Sequence, residues 1–464
     1  MKPQAFVAAA AIVLGVTSIV ACSSSESSTG KDGAKQLTVW SEENDADRVK
    51  ATQALAAKFT AATGVNVKIV GIDEQQFQQL ITSGAAAGKL PDVIGALPLA
   101  GVQYMASNDL VNTDAAQQVL QNLDTKTFNA NAVSLTQYKG KQAAVPSDAW
   151  VQMLIYRKDL FDKAGLAAPS SFAAIQTAAQ KLNSPQLAGI SMATVPNDSF
   201  TQQSFEYFAL ANGCQMVDDS GKITLDSPAC VDTFTTYSDL IKNTSVRGNQ
   251  DVDTTRATYL AGKSAMFVWS SFVLDEMAGL RDDALPTCPE CKSDPAFLAK
   301  NSGIVTSLQG AGQAKPAQFG EIGSWTITKS ANAEAAGKFV EFMLNDGYQG
   351  WLGLSPEGKF PVRQGSSAEP KKFVDAWAAL QTGVDRKAPL SQFYPRDVLD
   401  ALKNSPAAIA RWALPQGQGA LLGATLGPLP VPKAVNAAAN GGVSGEQAAK
   451  QAQQAVQKLQ SSLK

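Results

Sequence analysis

Between Leu37 and Leu97 short apolar runs alternate with segments of helical period, and this order constrains the fold more than any other feature of the chain. Leu37 to Trp40, the alternating Val65, Val67 and Ile69, and Asp92 to Leu97 read as strands. Between them Val49, Thr52, Ala56 and Phe59, then Phe77, Leu80 and Ile81, mark the apolar faces of two helices. A β-α-β-α-β order implies a parallel sheet with helices on both faces. Such sheets hold ligands beyond the carboxyl ends of their strands. The loop leaving the first strand, Ser41-Glu42-Glu43-Asn44-Asp45, therefore lies at a binding edge, with Glu42, Glu43 and Asn44 as candidate contacts. Asn44 or Asp45 also caps the helix that follows, and acidic residues there suit its dipole without any ligand.

At 464 residues the chain exceeds one ordinary core, and its 45% apolar content is ample for two lobes. A crossing between them reads out of Gly140 to Phe172, GKQAAVPSDAWVQMLIYRKDLFDKAGLAAPSSF. Ala143 to Val145 is a short apolar segment that Pro146 is expected to end, and Met153 to Tyr156 restarts as a buried strand. Asp148 and Trp150 fall between, on backbone expected to be half covered. Ser170 or Ser171 then caps a helix bearing Phe172, Ile175, Ala179 and Leu182.

Lysine plus arginine (39) nearly balances aspartate plus glutamate (41), without a long basic run, so no nucleic-acid surface is expected and the ligand should be neutral or weakly charged. Histidine is absent. That removes Ser-His-Asp and Cys-His nucleophiles and imidazole zinc sites, while a carboxylate pair for glycoside hydrolysis stays open. The apolar run Ala5 to Val20 is short for a membrane span and suits a signal peptide over residues 1–21. Its end, Ile19-Val20-Ala21-Cys22, resembles a bacterial lipobox, which implies a diacylated Cys22; a plain signal peptide with an incidental cysteine is the alternative. Residues 22–36 then form a polar tether. Four further cysteines read as two disulfides with three possible connectivities. The favoured one joins Cys214 to Cys230 across a hairpin through Asp218 to Gly221, and Cys288 to Cys291; a four-cysteine zinc site is the rival.

The motifs GKQAAVP, LIYRKDLF and AGLAAPSSF resemble, in order, those of the extracellular solute-binding proteins of ABC importers, in the branch that contains the maltodextrin-binding proteins. Later segments extend the likeness: ATYLAGKSAMFVWSS (Ala257 to Ser271), EIGSWTITK (Glu321 to Lys329) and GKFPVR (Gly358 to Arg363). The resemblance implies a two-lobed α/β periplasmic-binding-protein-like fold, each lobe a mainly parallel sheet flanked by helices, with the ligand cleft between lobes. Lobe 1 would hold residues 37–145 and about 320–365, lobe 2 residues 146–319 and about 366–464. It implies a carbohydrate ligand, a permease partner, no catalysis, no cofactor or metal, a monomer, and a place on the outer face of the cytoplasmic membrane through the lipid anchor alone. A glycerol phosphodiester or polyol is the rival ligand; a secreted carboxylate-pair glycosidase is the rival class.

Sugars offer apolar C–H faces and a belt of hydroxyls, so their sites need aromatic platforms with carboxylates or guanidiniums beside them. Among seven tryptophans, Trp150, Trp269 and Trp325 lie beside expected strand ends or crossings and are the candidate platforms. Trp351 and Trp377, inside helical runs, suit packing. Asp148 supplies a carboxylate, and Arg386, in RKAPLSQFYPR, resembles a ligand-contacting arginine of some disaccharide-binding relatives. The chain closes on a Ser444-x-x-Gln447 capping box and a packing helix.

Overall fold

The structure, a computed structural model, describes residues 36–463; the leader, Cys22 and most of the tether lie outside the described residues. Strand β1 (Gln36–Ser41), helix α1 (Ala46–Thr63), β2 (Asn66–Gly71), α2 (Glu74–Ala87) and β3 (Val93–Leu97) follow the expected order. β1 pairs in parallel with both β2 and β3. α1 buries Thr52, Leu55, Ala56 and Phe59 and stops at Gly64, whose φ of 76° closes the helix as a left-handed cap that a side chain would strain. Helix α3 (Leu99–Ser107) follows directly on β3.

Two long strands carry the sheet across the molecule. β4 (Val145–Arg157) runs without a break where the sequence suggested two pieces, because Pro146 sits beside a register shift between Pro146 and Asp148 rather than at a strand end. Helix α4 (Phe172–Leu182) starts at Ser171, whose hydroxyl accepts from the Ala174 N–H. Helices α5 (Ser199–Ala211) and α6 (Val252–Leu260) precede strand β5 (Met266–Ser270), followed by β6 (Ser302–Val305). β7 (Gln318–Ile327), the second long strand, is buried throughout and leads into the amphipathic α7 (Ala333–Leu344). The short β8 (Phe360–Pro361) and β9 (Ile409–Ala410) complete a nine-stranded sheet among the described residues, with a spine ordered β8-β4-β7-β3-β1-β2.

The sheet is mixed: β7 runs antiparallel to both β3 and β4. β4 also exchanges neighbours along its length. Val145 to Val151 lie against β7, whereas Gln152 to Arg157 lie between β5 and β6. One strand thus belongs to two packed regions. One core gathers Leu37, Val39, Phe59, Phe339 and Val340 under β1 and β7; others gather around Phe205, Phe208, Tyr237 and Trp412, and around Ile155, Phe267 and Leu274. Cys214 is bonded to Cys230 around the turn at Asp218 to Gly221, and Cys288 to Cys291. The last helix, α8 (Gly445–Ser462), opens on the reciprocal Ser444–Gln447 box and buries Ala448, Ala452 and Val456. Among the described residues no helix is long and apolar enough to cross a membrane.

Candidate ligand-binding cleft

A cleft of about 540 Å³ opens at the carboxyl ends of β1, β2 and β3 and along one face of the two long strands. Strand alternation places its polar floor. Asp148 and Trp150 turn to the cleft while Ala149 and Val151 enter the core. Across the ladder Trp150 stands opposite Glu321 and Asp148 opposite Gly323, so these four share a face. A Cβ at Gly323 would lie 3.1 Å from Asp148 Oδ1, so only a small residue leaves the carboxylate its place.

Lys359, 1% exposed at its side chain, holds the first wall together. Its Nζ lies 2.5 Å from Glu43 Oε1, 3.2 Å from Asp148 Oδ1 and 4.1 Å from the centre of the Trp351 ring. Arg48, in the first turn of α1, donates to Glu43 Oε2 at 3.0 Å. Burial alone would raise the Glu43 carboxyl, but Lys359 and Arg48 override it and draw the pKa down to about 2. Trp351 Nε1 donates to the other Asp148 oxygen at 2.6 Å, and the neighbouring Ser147 hydroxyl donates to that same oxygen.

The facing wall comes from α5, α6 and the segment after β5. Trp269 is 6% exposed; its Nε1 donates to the Val252 carbonyl at 2.9 Å, and its ring lies 6.0 Å from that of Phe200. Arg256 stands 5.6 Å over the Trp269 ring and donates to Glu276 at 2.7 Å. Burial, opposed by Arg256 and Arg281, lifts the Glu276 carboxyl to about 7. Trp150 is half-buried, its ring 6.4 Å from Phe272 and 6.2 Å from Phe319. Phe272 in turn lies under the Arg48 guanidinium at 5.3 Å, so the two walls meet there. At the floor Glu321 accepts from the Leu99 N–H at 3.2 Å and pairs with the buried Arg411, which also donates to Glu206 at 3.0 Å. Burial lifts Glu321 to about 7 against the pull of Arg411. Among the described residues no cluster of three acidic, histidine or cysteine side chains is placed to hold a metal ion.

The family model for bacterial extracellular solute-binding proteins matches residues 44–350. The chain belongs to that family. Its relative in Escherichia coli K12, a putative ABC transporter periplasmic-binding protein called YcjN, is 30% identical over 319 residues, 67% of this chain and 69% of the relative. Solved structures of similar fold include the GacH receptor of Streptomyces glaucescens, studied unliganded and with acarbose (TM-score 0.69, 19% identity, 92% of this chain and 99% of that one). A sugar transporter protein of Arthrobacter chlorophenolicus with bound laminaribiose gives a TM-score of 0.70 at 16% identity, with 92% and 99% covered. At these identities the likeness establishes the two-lobed α/β fold.

Within this solute-binding protein the cleft gathers Glu42, Glu43, Asn44, Asp148, Trp150 and Trp269. Two candidates fall elsewhere. Trp325 shares a strand face with Glu321, but two steps of two residues carry it past the cleft and under α7. It is fully buried against Phe339, Trp351 and the Cβ-free surface of Gly95. Arg386 is absent from the lining because its turn is tied down at Leu280; the guanidinium donates to the Gly279 carbonyl and pairs with Asp282 at 2.7 Å. Trp40 packs beside Gly84 rather than facing the cleft.

Sequence reasoning passed over Arg256, Phe272, Glu276, Glu321 and Lys359. Glu321 and Lys359 lie inside the quoted segments EIGSWTITK and GKFPVR, and Phe272 follows directly on the quoted segment that ends at Ser271. Their roles depend on partners up to 316 positions away, as Lys359 with Glu43 shows (359 − 43), and no local spacing signals that.

Proposed function

We propose that this solute-binding protein captures a carbohydrate for an ABC importer and hands it, unmodified, to a membrane permease. The cleft supports this most directly: a volume within the roughly 300–1,000 Å³ of small-molecule sites, the half-exposed Trp150 as a platform, and carboxylates around it. Acarbose in the GacH receptor and laminaribiose in the Arthrobacter protein point to the same ligand class, most simply a di- or oligosaccharide. The carboxylates do not favour glycosidase chemistry, because Glu43 and Asp148 are both engaged by Lys359. A phosphodiester gains no support either, since Arg48, Arg256 and Arg281 each already carry a carboxylate.

The motifs suggest a division of the lobes into residues 37–145 with about 320–365 and residues 146–319 with about 366–464, and flexing at the crossings between them. A ligand touching both favours closure only by the contacts it makes on both sides at once. Cys22 carries the lipid anchor that keeps the body at the outer face of the membrane. The test is a thermal-shift screen of the body against mono- and disaccharides, maltodextrins, polyols and glycerol phosphodiesters. At a hundredfold excess over Kd a true ligand adds about 2.7 kcal/mol to stability. A shift confined to carbohydrates supports the reading, and a response only to phosphodiesters refutes it.

A further inference from the structure

Arg281 and Asp283 line the facing wall of the cleft in a stretch, Gly279 to Asp283, that lies outside any helix or strand. Arg281 donates from Nε to Asp283 Oδ1 at 3.1 Å and from Nη2 to Oδ2 at 3.0 Å. This two-pronged pair leaves further donors on the guanidinium and further lone pairs on the carboxylate. It brings no net charge, so it offers donor and acceptor side by side to neighbouring hydroxyls and asks for no charge on the ligand. The Asp283 side chain is 66% exposed and that of Arg281 14%, so a ligand in the cleft reaches the pair.

What holds this stretch in place lies 107 positions beyond Gly279, at Arg386. Gln381–Thr382 and Ala388–Pro389 pair antiparallel as a hairpin. From its turn the Val384 and Arg386 N–H groups both donate to the Leu280 carbonyl at 3.2 Å. Arg386 Nε donates to the Gly279 carbonyl and Nη2 to Asp282 Oδ1, each at 2.7 Å, and the Asp282 N–H donates to Asp385 Oδ2 at 2.7 Å. Arg281 is thus gripped on both sides. Gly383 makes the close approach possible: its φ is 91°, and a Cβ there would lie 2.6 Å from Leu280 Cβ. An exposed pair such as Arg386–Asp282 adds little to folding stability, so its effect falls on where Arg281 and Asp283 stand.

We infer that the Arg281–Asp283 pair is a ligand contact, reading adjacent hydroxyls of the sugar, and that Arg386 is the positioning residue that holds the pair in the cleft. This rests on the carbohydrate reading above and assigns part of its specificity to one pair. Arg386 acts without touching the ligand, since its guanidinium is committed to Gly279 and Asp282 outside the lining. Lysine would not replace it, because an ammonium lacks the planar fork that reaches a carbonyl and a carboxylate at once.

The test combines calorimetric titration of the intact body with maltotriose, laminaribiose and acarbose and hydrogen exchange at the Asp282 amide. Arg281→Ala is expected to weaken the tightest of the three sugars about tenfold. Arg386→Ala is expected to weaken it about fivefold, with the thermal midpoint shifted by no more than about 2 °C, and to add nothing in the Arg281→Ala background. Arg386→Lys should behave as Arg386→Ala does, and both should speed exchange at Asp282. Affinity unchanged in Arg281→Ala overturns the ligand contact. Additive losses in the double variant, full rescue by lysine, or unmoved exchange at Asp282 overturn the positioning role. Heat from none of the sugars, with exchange at Asp282 speeded by Arg386→Ala, overturns the carbohydrate reading and the contact with it, while the bracing of the loop stands.

Discussion

Replacing Lys359 by methionine tests the electrostatics of the first cleft wall. The ammonium is buried between Glu43 and Asp148, so its loss leaves two buried carboxylates with Arg48, among the described residues, as the one cation paired to them and with the neutral donors Trp351 N–H and the Ser147 hydroxyl on Asp148. Breaking a buried pair from one side costs about 3–5 kcal/mol. The carboxyl of Glu43 gives a second route to the magnitude. Its pKa falls from 4.5 to about 2 in the folded protein, a shift worth roughly 3 kcal/mol at neutral pH. The sign follows from the depression: this stabilisation is present above pH 4.5 and is lost as pH falls toward about 2. The assay is urea denaturation followed by tryptophan fluorescence, near pH 7 and near pH 3. Lys359→Met is expected to lose about 3 kcal/mol near pH 7, and the deficit should narrow by about 2 kcal/mol near pH 3, where the wild type has given up most of the Glu43 contribution. A deficit below about 1 kcal/mol, or one that does not change with pH, refutes the reasoning.

Trp150→Ala should weaken ligand binding at least tenfold, about 1.4 kcal/mol, with little change in Tm, whereas the buried Trp269→Ala should lose about 3–5 kcal/mol of folding stability; titration and denaturation on both variants separate the roles. Glu321, raised from 4.5 to about 7, favours its protonated form in the folded state, so it lowers stability as pH rises between those values. Glu321→Gln should remove that slope from a Tm-against-pH profile, and an unchanged slope would assign it to another group. Paired Cys214→Ser and Cys230→Ser changes open a link spanning 16 positions and should cost about 3 kcal/mol, read as a lower urea midpoint.

The local features of this chain were legible because each is decided within a few residues. Ser171 and the Ser444–Gln447 pair cap their helices where the sequence places them, and the β1–α1–β2–α2–β3 order gives the parallel pairs and the acidic cleft edge. The cysteine pairing read from a hairpin is that of the structure for the same reason. Pro146 misled because a register shift beside it lets the strand continue, which depends on β7 lying alongside. Trp325 misled because strand alternation gives its face but not what covers that face; α7 and Trp351 do so. Arg386 carried a motif likeness without the backbone around it, which here binds the turn to Leu280. Lys359 and Glu321 were hidden because a buried charge is recognised only when its partners are known.

The measurement that tests the central claim most directly is calorimetric titration of residues 36–464 with the carbohydrate that gives the largest thermal shift, followed by recovery of that carbohydrate from the complex. The account predicts saturation at one site, an intact sugar on recovery, and loss of the binding heat in Trp150→Ala. Continuous heat with shortened sugar, or undiminished binding by Trp150→Ala, would contradict it.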